Sequence, residues 1–354
     1  MKQTSLHIRQ LVKRLSGEKS IGEINLSLRR GKKIALLGVN GAGKSSFIRL
    51  LVGEDLADTG SIKYQNSYIS ADSSDSTIDP KIASDPQTQL APQTQAVKNS
   101  LGYQADTMLA IENLSGVDYL NWCGLMKQLT ADQISHQIDS LNKIWPINHL
   151  LDQTMGELSK GNLQKLAIAQ VFLNKPQYLI FDEPCQSLDP LEQEKFNLLI
   201  ENLIDFELCI FSTHNVKHAT ELADEILLFH ESKVAYHFDL LGQKKNLAKN
   251  YLLVCRQSNE SLQKWMNDQS CNIIEISTQV FKVTQLTNAE HSELKNELAT
   301  RSDKFDFFLP EEEALLPLFR MLASGEINTF CYLEDVCPDD EIQQQENIVE
   351  GDQN

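Results

Sequence analysis

Across residues 5–30 apolar and polar positions alternate. Leu6, Ile8 and Leu11 stand on one side of a turn-like centre at Ser16-Gly17-Glu18, and Ile24, Leu26 and Leu28 on the other. Period-two alternation of this kind predicts short antiparallel strands with one buried face each. The pattern then changes. Lys33-Ile34-Ala35-Leu36-Leu37 ends in a continuous apolar run, which predicts a strand buried on both faces. Ser46-Phe47-Ile48-Arg49-Leu50-Leu51 opens a helix that Gly53 can stop. Asp58-Thr59-Gly60-Ser61 reads as a turn before a further strand to Tyr64. Tyr178–Phe181 and Cys209–Phe211 repeat the buried-strand design, and each runs out into polar residues: Asp182-Glu183-Pro184 and Ser212-Thr213-His214. Ligands of open α/β sheets bind beyond the carboxyl ends of the strands, so both tips should face one site.

Between residues 112 and 150 the period lengthens to three and four. Leu120, Trp122, Leu125, Met126 and Leu129, then Ile134, Ile138, Leu141 and Ile144, mark helices whose stripes are expected to pack in a core, with Pro146 ending the region. Residues 70–97 are rich in Ser, Asp, Gln, Thr and Pro and bury little, which predicts a flexible surface insertion. Beyond Gly242 a second pattern starts: a strand at Tyr251–Cys255, a helix at Leu262–Met266, a hairpin from Ile273–Ile276 and Val280–Val283, and a helix at Glu311–Leu322. No Lys or Arg follows Arg320, and residues 338–354 are acidic and Gln-rich, as in a disordered tail.

At 354 residues the chain has room for two domains. Its 49 acidic against 32 basic side chains give a net charge of −17, which argues against nucleic acid as the main partner. Seven dispersed cysteines without a C-x-x-C pair fit a reducing compartment better than a disulfide framework. Neither a signal peptide nor a membrane-spanning run of ~18 apolar residues is evident. The expected location is the cytoplasm, with any membrane association supplied by a partner.

The chemistry centres on Gly38-Val39-Asn40-Gly41-Ala42-Gly43-Lys44-Ser45, which fits the phosphate-cradling pattern G-x-x-x-x-G-K-[ST] and has the required strand before it and helix after it. Gly41 and Gly43 let consecutive backbone N–H groups turn toward an anion, and the helix start adds its positive dipole end. Lys44 is placed for β- and γ-phosphates, and the Ser45 hydroxyl for Mg²⁺; Ser46 follows them into the helix. These residues predict nucleoside triphosphate binding.

Further along, Leu158-Ser159-Lys160-Gly161-Asn162 precedes a helix, then come Tyr178–Pro184, Ser187-Leu188-Asp189-Pro190 and Ser212-Thr213-His214. In order and spacing these resemble the signature, Walker B, D-loop and switch histidine of the nucleotide-binding subunits of ABC transporters. Ser159 stands 115 positions after Lys44 and Glu183 a further 24 on. The resemblance covers residues 1 to about 240, and it implies an α/β P-loop fold of the ABC ATPase type: a mainly parallel sheet, an antiparallel β subdomain and a helical subdomain (about 107–160). It further implies ATP and Mg²⁺ as ligands, Asp182 on the metal, Glu183 polarising the attacking water, and His214 at the γ-phosphate. Ser159, Lys160, Gly161 and Asn162 would act across a homo- or heterodimer, on ATP held by the other subunit, with Asp189 in the D-loop. The family's adenine-stacking aromatic falls near Leu15, which offers only apolar contact. Its Q-loop glutamine falls on Asp106, with Gln104 as the fallback register. "YLEDV" (Tyr332–Val336) is similar to the segment that closes the accessory domain of exporter-type members.

The expected organisation is therefore an ABC ATPase domain (1–243), an accessory C-terminal α+β domain (244–337) and a tail (338–354). The expected function is to power export through a permease on a separate chain, from the inner face of the cell membrane. Two rivals remain. A soluble ABC-type ATPase acting on DNA or ribosomes would need a long coiled coil or a second cassette. A regulatory subunit that binds ATP with little turnover is favoured by Leu15 and Asp106, and disfavoured by Glu183 and His214.

Overall fold

The computed structural model describes residues 4–15, 20–64, 67–70, 97, 99–108, 111–240, 249–255, 272–276, 279–286, 294–296, 298 and 305–327. The expected turn at 16–18, almost all of the 70–97 insertion, the helix at 262–266, the 332–336 segment and the tail lie outside these residues.

The alternating N-terminal pattern forms β1 (Thr4–Arg14) and β2 (Ser20–Arg29), paired antiparallel. With β4 (Thr59–Tyr64) and β5 (Ser67–Ser70) they make a sheet in the order β2-β1-β4-β5. Thr59 and Gly60, read above as a turn, belong to β4. Gly60 has φ 84°, and a Cβ there would meet Gln10 O at 2.3 Å, so the glycine answers a register shift in β1 rather than a chain reversal.

The apolar runs form the central sheet, ordered β10-β9-β3-β8-β7-β6. It contains β3 (Lys32–Leu37), β6 (Leu101–Gln104), β7 (Tyr178–Phe181), β8 (Leu208–Thr213), β9 (Glu225–His230) and β10 (Lys233–Asp239). Only β10 runs antiparallel to its neighbour. Every residue of β7 and β8 is buried, as expected for parallel strands covered on both faces.

Helix α1 (Lys44–Val52) follows β3 and stops at Gly53, φ 72°. The helical region holds α2 (Gly116–Met126), α3 (Ala131–Asn142) and α4 (Asn148–Leu151), followed by α5 (Lys160–Val171). Ser115 caps α2, and Thr130 with Gln133 makes a capping box on α3. Pro146 does not end this region, because α4 comes after it and Trp145 beside it is fully buried. The core expectation holds for Leu120, Leu129, Ile134, Ile138 and Leu141, but Trp122, Leu125, Met126 and Ile144 are 52%, 60%, 70% and 54% exposed. Leu120, Cys123 and Gly124 form the inward face of α2, so the second apolar stripe points outward.

Helices α6 (Pro190–Glu201) and α7 (Val216–Leu222) follow β7 and β8. A separate antiparallel sheet, β12-β13-β11-β14, contains β11 (Lys249–Cys255), β12 (Asn272–Glu275), β13 (Val280–Leu286) and β14 (Phe305–Pro310), and leads into α8 (Glu311–Ser324). Its inner side is continuous with the core around the central sheet, since Leu252, Val254, Val280, Leu315 and Leu318 cluster with Tyr236 and Phe238.

Candidate functional site

The loop after β3 holds its shape through glycine. Gly41 has φ 82° and open space where a Cβ would be; Gly43 has φ 99°, and a Cβ there would sit 2.7 Å from Ser232 Cα. Both leave backbone N–H groups free to face an anion. Asn40, Gly41, Ala42, Gly43, Lys44, Ser45 and Ser46 line one side of a cleft of about 310 Å³, and Leu15, Asp106, Glu183, Gln186 and Ser232 line the rest. Gly38 and Val39 contribute through their carbonyls. The buried Lys44 Nζ donates to Gly38 O (2.8 Å) and Val39 O (3.2 Å) and lies 3.3 Å from Glu183 Oε1.

The two acidic residues at the end of β7 are treated differently. Asp182 is buried, and its Oδ1 accepts from Ser212 Oγ at 2.6 Å. That same Ser212 oxygen accepts from the Glu183 backbone N–H at 2.8 Å. Glu183 has φ 46°, a left-handed conformation uncommon for a non-glycine residue and typical of residues held in place for function. Its Oε1 is buried without a hydrogen bond, and its Oε2 accepts from His214 Nδ1 at 3.1 Å. His214, just beyond β8, is half exposed. Lys44, Glu183 and His214 therefore form one connected chain, an ion pair and a hydrogen bond, across the carboxyl ends of β3, β7 and β8.

Asp106 and Gln104, the two candidate registers, sit differently toward the cleft. Gln104 closes β6 with its amide turned into the protein, donating to Asp182 O at 3.1 Å. Asp106 is the residue at the cleft. Its carboxyl is raised above the usual carboxylate range by burial first, then by Asp182 and Glu183. Leu15 lines the cleft as an apolar contact.

The signature residues are elsewhere. Ser159 caps α5, accepting from Asn162 N at 3.2 Å, and neither Ser159, Lys160, Gly161 nor Asn162 lines the cleft of the same chain. Asp189 caps α6 through Glu192 N at 2.9 Å. Three described residues were missed by the sequence reading: Ser212, Gln186 and Ser232. Ser212 lies in the last of the four segments named above, two positions before His214. Ser232 sits in the two-residue turn between β9 and β10, where Glu231 and Ser232 both have positive φ.

Of the two residues expected to hold Mg²⁺, Ser45 lines the cleft, whereas Asp182 is buried behind it and does not line it. Hard oxygen donors of this kind suit Mg²⁺, which takes one or two carboxylates and completes its shell with water and substrate phosphates. Among the described residues no helix is long and apolar enough to cross a membrane.

Comparison with known proteins agrees with this geometry. Residues 21–186 match the family model described as ABC transporter. Among curated relatives, the phosphate import ATP-binding protein PstB of Mycoplasmoides gallisepticum is 28% identical over 225 residues, covering 62% of this chain and 64% of the relative. The chain thus spans just under two thirds of that protein's length. The ABC transporter ATP-binding protein NatA of Bacillus subtilis is 24% identical, covering 62% of this chain and 81% of NatA. The zinc import ATP-binding protein ZnuC of Rickettsia conorii is 25% identical, covering 64% and 83%. Among solved structures, the dimeric bacterial cassette MJ0796 superposes with a TM-score of 0.56 at 18% identity, covering 66% of this chain and 98% of the cassette. A second structure of MJ0796, in a post-hydrolysis state bound to ADP and Pi, gives 0.55. At these identities the structural likeness establishes a shared fold.

Proposed function

We propose that the chain carries the nucleotide-binding domain of an ABC transporter and hydrolyses ATP to power a separate membrane permease, in the direction of export, a reading supported by the family match and the relatives. The observation that carries the ATPase reading is the Lys44–Glu183–His214 chain beside a glycine loop at the end of the sheet. In this reading Lys44 exchanges its two loop carbonyls for the β- and γ-phosphates, and the Gly41 and Gly43 N–H groups hold the same oxygens. Glu183, released from Lys44, takes the proton of the attacking water. His214 keeps Nδ1–H on Glu183 and turns Nε2 to the γ-phosphate; donating from both nitrogens requires the imidazolium. Mg²⁺, held by Ser45 and Asp182, supplies neutralisation of phosphate charge when bound. Ser159, Gly161 and Asn162 of a second cassette complete the site, so that closure depends on the γ-phosphate.

Export is supported by the resemblance of Tyr332–Val336 to exporter-type members; the import proteins among the relatives stand on the other side. The permease reading gives a role to the exposed Trp122, Leu125 and Met126, an apolar face on α2 that a partner would cover. The test is Mg²⁺-ATP turnover by the purified chain beside Glu183→Gln. Phosphate release by the wild type and its loss in a variant that still binds ATP are expected. ATP binding without release in either protein would overturn the enzymatic reading. Direction is read separately, by co-expression with its permease in inverted vesicles, where ATP-driven accumulation is expected and ATP-driven efflux would contradict export.

A further inference from the structure

The helix that begins at the signature residues grips the segment after Glu183 at three successive levels. Gly161 lies so close to Ser187 that a Cβ would stand 2.8 Å from its carbonyl oxygen. One turn later the buried Gln164 donates from Nε2 to Pro184 O at 3.0 Å. Next to it Lys165, 4% exposed, holds Nζ 3.1 Å from Glu192 Oε2 in the first turn of α6. Lys165 is itself fixed: its carbonyl accepts from the Trp145 indole N–H at 3.0 Å, and its ammonium lies 6.0 Å from the centre of that ring. Glu192 also pairs with Lys195 at 2.9 Å. A buried ion pair costs desolvation that an apolar pair of the same shape would avoid, so a Lys–Glu contact here is weak as a source of stability. What it does supply is a defined geometry between α5 and α6.

In the two-cassette reading the two ends joined by this grip serve different nucleotides. Glu183 lines the chain's own cleft, whereas Ser159–Asn162 do not. We propose that Gln164 and Lys165 are positioning residues that bind the signature edge and the Glu183 segment into one rigid unit. Closure over the nucleotide in one site of a paired assembly then sets the base in the other. This rests on the two-cassette reading above. Lys165 and Gln164 touch neither nucleotide; they act through Pro184, Ser187 and Glu192.

The test uses the full chain with Mg²⁺-ATP and compares Lys165→Met, which keeps the stem and removes the charge, with Lys165→Arg. The expected result for Lys165→Met is a roughly 5- to 30-fold lower kcat, as for the loss of a coupled contact. Its Hill coefficient for ATP should fall from above about 1 to about 1. Nucleotide affinity, measured in a Glu183→Gln background, stays within about twofold of the parent's by the same additivity argument, and Lys165→Arg restores cooperativity. Should Lys165→Met not fold, Glu192→Gln removes the same pair from the other side and is expected to behave alike. Unchanged cooperativity in the variant overturns the coupling, as does a loss of turnover that merely follows lost nucleotide binding and is not rescued by Arg. A wild type that turns over ATP without cooperativity also overturns it, while leaving the ATPase reading intact. A wild type without turnover removes both.

Discussion

At the carboxyl ends of β3, β7 and β8, backbone strain and buried charge gather within a few residues. Gly43 has φ 99°, Glu183 has φ 46°, and the buried Glu183 Oε1 is ion-paired with Lys44 Nζ at 3.3 Å. The C-terminal sheet is built the other way. Leu252, Leu253, Val254, Phe281 and Val283 are buried and apolar, and its main polar feature joins it to the cassette. There Glu311 Oε1 accepts from the Tyr236 hydroxyl and pairs with Lys282 at 3.0 Å. Each region buries a glutamate paired to a lysine: Glu183 with Lys44 borders the open cleft, whereas Glu311 with Lys282 fastens the sheet and keeps its Oε2 without a hydrogen bond. The difference separates residues whose loss should stop chemistry from residues whose loss should only loosen the fold.

The largest expected effect is on the first region. Glu183→Gln should lower phosphate release by about 10²–10⁴-fold, the range for removing a general base, with ATP still bound in a filtration assay. In the second region Leu253→Ala should cost about 2–5 kcal/mol in denaturant unfolding and leave nucleotide affinity alone. Loss of affinity in step with stability would break the comparison. Tyr236→Phe removes a hydroxyl from the buried Glu311 and should cost about 1–3 kcal/mol, read by the same unfolding curve. Leu15→Trp should sharpen the contrast inside the cleft, because an aromatic face adds about 0.5–1.5 kcal/mol of stacking and so tightens ATP binding up to about tenfold by titration. Unchanged affinity would mean that adenine does not lie on Leu15.

The smallest effect concerns Lys127, whose ammonium burial lowers to a pKa of about 8, and which donates to Gln170 O at 2.6 Å. Below pH 8 the lysine is charged in folded and unfolded chains alike, and the burial penalty is fully present. Between pH 8 and the ordinary 10.5 the folded chain releases its proton first, so the penalty fades as pH rises. Wild-type stability should therefore gain on Lys127→Met across that window, and a constant difference between the two would contradict the assignment.

The cleft was legible because the glycine-loop pattern admits few residue types at fixed spacing. Gly41, Gly43 and Lys44 announce themselves locally, and Asp182, Glu183 and His214 stand at the ends of unmistakable apolar runs. Ser212, Gln186 and Ser232 were not legible, because they reach the cleft or its acids from a neighbouring strand, a loop and a hairpin turn, by register rather than by pattern. Trp122, Leu125 and Met126 mark another limit. Helical spacing of apolar residues says that a face wants covering, and α2 has two such faces, of which the described residues cover one. The grip of Lys165 on Glu192 was hidden for the same reason: α5 is buried nearly all round and gives no amphipathic signal.

The central claim is that one chain holds half of each ATP site. It is tested most directly by phosphate release per chain, measured across protein concentrations that span monomer and dimer by light scattering. Specific activity that climbs with the dimer fraction and levels off is the predicted result. Activity per chain that stays constant down into the monomer range would contradict it.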